Sequence, residues 1–222
     1  MLLAIDTSTR MVGIALYDGA SVIGEIAWVS RSYHTVELAP AVLDLLSKTK
    51  TNRQDLQAVG VALGPGSFTA LRIGLAFAKG LALSLHIPVT GVPSFDVMAA
   101  AQPVVESEFA AVIEAGRKRM AVGWYQAEAG KYQPTGRLEN LTIDEFVAIF
   151  DQPTRVAGEL SADLRGRFPL ENENARLASP AQSMRRPAVL AELAWGRLQS
   201  AAADDLAMLS PIYLHHGEPL PG

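Results

Sequence analysis

The chain has 222 residues, 49% of them hydrophobic and 19% charged, with a net charge of −4 and no cysteine. The apolar share is enough for a packed core and excludes a disordered chain, and the missing cysteines exclude disulfides, thiolate zinc sites and a cysteine nucleophile. The acidic balance, with lysine and arginine scattered apart from Arg117, Lys118 and Arg119, argues against a chain that grips nucleic acid by itself.

From the N-terminus, residues 2–5 read as a buried strand that ends at Asp6-Thr7-Ser8-Thr9. Asp6 interrupts this apolar start before it reaches the length of a signal segment. Residues 11–17 and 21–28 read as a hairpin around Asp18-Gly19, because both turn residues tolerate positive φ. Residues 35–48 read as a helix, with Val36, Leu38, Ala39, Val42, Leu45 and Leu46 at helical spacing and Pro40 near its start. Next come a strand at 58–63, a helix at 69–85, a strand at 88–91 and a helix at 94–101. The apolar run 73–85 is broken by Gly74, Lys79, Gly80 and Ser84 and falls short of the roughly 18 residues of a membrane span. A soluble, cytoplasmic protein with no membrane association is expected.

The second half repeats the order. Residues 109–115, 120–126 and 131–137 read as three strands. Residues 142–150 read as a helix with a capping box of Thr142 and Glu145. A strand at 155–157, a helix at 161–167, a strand at 174–177 and a helix at 187–203, with Pro187 in its first turn, complete the chain. The repeated β-β-β-α-β-α-β-α order predicts two similar α/β domains of about 100 residues each. They are placed at 1–102 and 103–222, with the last helix or the tail free to pack back on the first.

Two loops have residues suited to phosphate chemistry. At the end of the first strand, Asp6 suits a magnesium-bound water, and the hydroxyls of Thr7 and Ser8 suit a phosphate. The same residues also suit a polar turn bonded to its own backbone. Gly64-Pro65-Gly66-Ser67-Phe68-Thr69 joins a strand to a helix, where free amides and the helix dipole attract anions. It lacks the Walker lysine and the third glycine of a dinucleotide fingerprint, and the motif alone favours a tight connection capped by Ser67 or Thr69. The helix that follows is apolar on nearly every face, and Ala70, Gly74 and Ala78 form a ridge of small residues. Such a helix serves either a partner or its own core. His34, His86, His215 and His216 offer no pair at helical metal-site spacing.

Several segments carry a resemblance. Leu3 to Thr9, His34-Thr35, Gly64 to Thr69 with Arg72-Ile73-Gly74, and Gly91-Val92 before Ser94 resemble the TsaB (YeaZ-like) family in order and spacing. Glu114-Ala115-Gly116-Arg117 and Pro211-Ile212-Tyr213-Leu214 are similar more loosely. Ala70, Glu114, Ala121 and His215 depart from the family's usual residues. The resemblance implies an α/β fold of two RNase-H-like domains of the actin-like ATPase type. It implies a non-catalytic dimerisation or scaffold subunit, acting with a TsaD-like transferase and a TsaE-like ATPase in forming N6-threonylcarbamoyladenosine at position 37 of tRNA. A homodimer is implied for the chain alone, with tRNA reached only through the complex. The transferase's His-x-x-x-His metal pair corresponds here to Ser94 and Met98, so no metal and no catalytic residue are expected. No cofactor is expected in the isolated subunit, while the complex leaves room for ATP or ADP. Asp6, Thr7, Ser8, Gly64, Gly66 and Ser67 are the expected nucleotide-facing set. Val36, Ala39, Leu43, Ala70, Ile73, Gly74, Phe77 and Ala78 are the expected protein interface. The alternatives are an ATP-dependent kinase or hydrolase of the actin-like superfamily, and a peptidase.

Overall fold

The computed structural model describes residues 1–31, 34–115, 119–200 and 204–214. The chain forms two compact units, Met1–Val97 with Arg185–Ile212, and Met98–Met184 with Tyr213–Gly222. The division thus falls inside a helix a few residues before the expected boundary at 102. The first unit also takes in residues assigned by sequence order to the second.

The first unit is built on β1 (Leu2–Asp6), β2 (Met11–Tyr17), β3 (Val22–Val29), β4 (Ala58–Ala62) and β5 (Val89–Val92). They form one sheet in the order β3-β2-β1-β4-β5. β1 to β3 are an antiparallel meander; β4 and β5 run parallel to β1. Both faces of β1 are buried, which is why it reads as continuously apolar rather than alternating. Leu3 and Ile5 meet α1 (His34–Lys48) and α2 (Phe68–Leu85) through Leu38, Val42, Leu45 and Leu75. Leu2 and Ala4 meet α6 (Pro187–Gln199) through Leu190, Ala191 and Ala194. Gly60 permits the close approach of α6, since a Cβ there would lie 2.6 Å from that of Ala194. Glu25 on β3 anchors the start of α6 by accepting from the Ala188 amide and pairing with Arg186.

The second unit repeats the plan. It comprises β6 (Glu108–Glu114), β7 (Arg119–Glu128), β8 (Lys131–Thr142), β9 (Thr154–Gly158) and β10 (Ala175–Leu177), in the order β10-β9-β6-β7-β8. α4 (Ile143–Ala148) and α5 (Ala162–Glu171) connect the later strands. Phe146, Phe150 and Phe168 pack mutually at centroid distances of 5.3–5.9 Å and fill this core with Trp124. α3 (Ser94–Ala100) spans the division between the units.

Several local expectations change. β8 runs to Thr142 rather than 137, because the register shift between Gly123 and Tyr125 of β7 absorbs two extra residues of β8 and pairing resumes at Leu138; Pro134 is tolerated because the strand lies at the sheet edge. In the first hairpin only Gly19 takes positive φ, at 99°; Asp18 instead accepts the Ala20 and Ser21 amides on its carboxylate. α1 begins at His34, so Pro40 falls in its second turn and leaves the Val36 carbonyl without its usual donor. A 3-10 turn at Arg53–Asp55 follows α1, where no helix was expected. α6 ends at Gln199, and residues 201–203 lie outside the described residues.

Candidate functional site

The loops at 6–9 and 64–67 do come together, but each faces the other. The Ser67 amide donates to the Ser8 carbonyl at 2.7 Å. Gly66 packs so closely there that a Cβ would sit 2.0 Å from that carbonyl oxygen. The Thr7 hydroxyl donates to the Ala70 carbonyl at 2.7 Å. The Ser8 and Ser94 hydroxyls lie 2.6 Å apart, and Ser94 also accepts from the Gly64 amide at 3.1 Å. Groups that would meet a phosphate are thus engaged within the chain. Of the expected nucleotide-facing set, Asp6, Thr7, Ser8 and Gly64 are buried, Gly66 is half-buried, and Ser67 alone is exposed. Ser67 stands at the N-cap of α2 without a side-chain capping bond.

Asp6 has a partner that sequence reasoning missed. Arg185 donates from Nε to Asp6 Oδ2 at 2.9 Å and from a terminal nitrogen to Thr9 Oγ1 at 2.8 Å. Its side chain is 0% exposed and that of Asp6 1%. The second carboxylate oxygen, Oδ1, accepts the Ser8 amide at 2.8 Å. A buried pair of this kind is sustained by hydrogen bonds to its remaining groups. The partners are 179 positions apart in the chain, so no spacing in the sequence announces them.

The ridge Ala70, Gly74 and Ala78 faces inward, correcting its assignment to an interface. All three are buried, and a Cβ on Gly74 would lie 2.2 Å from Thr7 Oγ1. Small residues here let α2 settle on β1. Of the other interface candidates, Val36, Ala39 and Leu43 on α1 are exposed, whereas Ile73 and Phe77 on α2 are half-buried. Leu43 is 67% exposed and Val36 65%. Phe68 and Leu83 on α2 are also exposed and were not anticipated. The Arg72 guanidinium lies 3.7 Å from the centroid of the Phe68 ring. With its 18 residues α2 meets the length and apolarity of a bilayer span, contrary to the shorter run read from sequence; its inner stripe of Leu71, Leu75, Ala78 and Ala82 is core.

His34 is buried, with Nε2 3.0 Å from the Thr9 carbonyl. Hydrogen bonds from the Trp28 indole and then from Ser30 hold the Glu37 carboxyl below its usual range. Ser94 and Met98, at the two expected non-ligand positions, are both buried. Among the described residues no three His, Asp or Glu side chains gather as a metal site. A hydrogen-bonded serine pair such as Ser8 and Ser94 supplies no base to activate either as a nucleophile. Glu114 accepts the Ser161 amide at the start of α5. Gly116, Arg117, Lys118, His215 and His216 lie outside the described residues.

Two sheets of one shared order, each a meander continued by two parallel strands, define the duplicated RNase-H-like class to which actin-like ATPases belong. Ethanolamine utilization protein EutJ from Carboxydothermus hydrogenoformans shares the fold at a TM-score of 0.50 and 15% identity, over 86% of this chain and 88% of its own. YeaZ from Pseudomonas aeruginosa superposes at a TM-score of 0.75 and 27% identity, over 95% and 99%. A family model described as tRNA N6-adenosine threonylcarbamoyltransferase matches residues 24–189. The tRNA threonylcarbamoyladenosine biosynthesis protein TsaB of Bacillus subtilis is 32% identical over 98% of this chain and 95% of its own length. The Escherichia coli protein of that name is 39% identical over 44% of this chain and 42% of its own. The chain belongs to the TsaB (YeaZ) family, whose members bear the name of tRNA threonylcarbamoyladenosine biosynthesis.

Proposed function

We propose that the chain is the non-catalytic partner subunit with which a TsaD-like transferase and a TsaE-like ATPase form N6-threonylcarbamoyladenosine at position 37 of tRNA. The observation that carries this reading is the exposed apolar face of α1, at Val36, Ala39 and Leu43, beside exposed Phe68 and Leu83 of α2. Large apolar side chains left in water on neighbouring helices suit a protein partner. Membership of the TsaB family supplies the pathway. Ser94 and Met98 support catalytic silence, since a hydroxyl engaged with Ser8 and a buried thioether are poor stand-ins for two imidazoles.

In this reading the subunit holds the transferase in a competent arrangement. Alone it pairs through the same face as a two-fold homodimer. It needs no cofactor of its own, and ATP or ADP belongs to the complex. The chain's acidic balance leaves tRNA to its partners.

Reconstitution with labelled threonine tests this. Label is expected in tRNA only when transferase, ATPase and this chain are all present. Leu43→Arg, at an exposed position that leaves the core untouched, places a charge in the seam. Burying it unpaired is expected to weaken association with the transferase by about 100-fold, with circular dichroism unchanged. Transfer by the chain alone, or unchanged association of folded Leu43→Arg, overturns the proposal.

A further inference from the structure

An actin-like fold implies a magnesium–nucleotide at the end of its first strand, where this chain has Asp6. The residues present do not fit that group. A divalent cation, bound directly or through one of its waters, needs a free carboxylate oxygen, and both oxygens of Asp6 are engaged. Oδ1 holds the Ser8 amide at 2.8 Å and Oδ2 holds Arg185 Nε at 2.9 Å. The guanidinium is fully buried there and also donates to Thr9 Oγ1 at 2.8 Å. A metal ion near Asp6 would have to share the place with a fixed positive charge. The facing loop is closed as well. The Ser67 amide, which a phosphate would need, donates to the Ser8 carbonyl, and Gly66 lies against that same carbonyl.

We infer that Arg185 is an internal counter-ion standing in for the divalent cation, and that it shuts this turn to magnesium–nucleotide. Asp6 is thereby retained as half of an ion pair rather than as a ligand. The guanidinium reaches it from the residue at which the chain re-enters the first unit. The substitution is local to these residues and holds whatever partners the chain binds. Its reciprocal is that removing the guanidinium leaves a buried carboxylate facing the space it occupied, a position that favours a small cation.

Paramagnetic Mn2+, alone and with ADP, tests both halves on the full chain by amide NMR. In the wild type, Mn2+–ADP is expected to leave the amides of residues 6–9 and 64–67 no more broadened than surface amides. Selective broadening of those amides in the wild type overturns the inference, and this arm needs no variant. In Arg185→Ala, Mn2+ alone is expected to broaden residues 6–9 at concentrations at least 10-fold below any effect on the wild type. The double variant Asp6→Asn, Arg185→Ala is expected to lose that gain. A folded Arg185→Ala variant that responds to Mn2+ no more than the wild type, or no more than the double variant, overturns the counter-ion role.

Discussion

At Gly66 the backbone of one loop touches the Ser8 carbonyl of the other, and a single methyl group would separate them. Gly66→Ala is therefore expected to lose the bond from Ser67 to Ser8 and to destabilise the chain by about 1–3 kcal/mol, as overpacking does. Gly166 offers the control. It is exposed in α5 and a Cβ there meets nothing within 4 Å. Gly166→Ala is expected to stabilise by about 0.5–1 kcal/mol through helix propensity alone. Urea denaturation of both variants checks the opposite signs. The sequence shows that glycines sit beside a helix start but not what lies against them. It shows equally that Asp6 ends a strand, while its partner, Arg185, is a remote arginine in an ordinary Arg-Arg-Pro stretch. Contacts of this range are set by the tertiary fold, and one chain read by itself carries no local trace of them.

Elements were more legible than their neighbours. Apolar runs, helical spacing, turn residues and a capping box located each described strand and α-helix, because burial and chain reversal leave local marks on the residues. The ridge on α2 was visible too, yet a row of small residues says only that something approaches closely. Here it is Thr7 of the same unit. The capping box of α4 was readable in full: Thr142 Oγ1 accepts the Glu145 amide, and Glu145 accepts the Thr142 amide at 2.7 Å. That amide, and then the Thr142 hydroxyl, hold the Glu145 carboxyl below its usual value of 4.5. A group depressed in the folded state stabilises fully above its unfolded pKa and loses this contribution as pH falls through the folded pKa. Amides at the start of α4 are thus expected to lose exchange protection as pH drops below the usual carboxylate range. Glu145→Gln is expected to flatten that response, and Thr142→Ala to lower local stability by about 1 kcal/mol at neutral pH. A response in Glu145→Gln as steep as the wild type's contradicts the assignment.

On the scale of the whole molecule, the face of the first sheet opposite α1 and α2 is covered only because the chain comes back to cover it. Leu2, Ala4, Ala58, Ala62 and Val92 pack under α6, and Glu25 and Asp6 fasten the segment that carries it. A chain ending at Met184 keeps every strand of both sheets and loses this helix. Hydrogen exchange on that fragment is expected to show β1, β2 and β4 exposed, with β6, β7 and β9 still protected. Protection of both sheets alike would show that α6 is dispensable. The consequence reaches into synthesis. Domains are commonly completed in the order in which they leave the ribosome. This chain departs from that order: its first-made sheet waits, half covered, through the making of the second sheet, and gains its covering helix only afterwards.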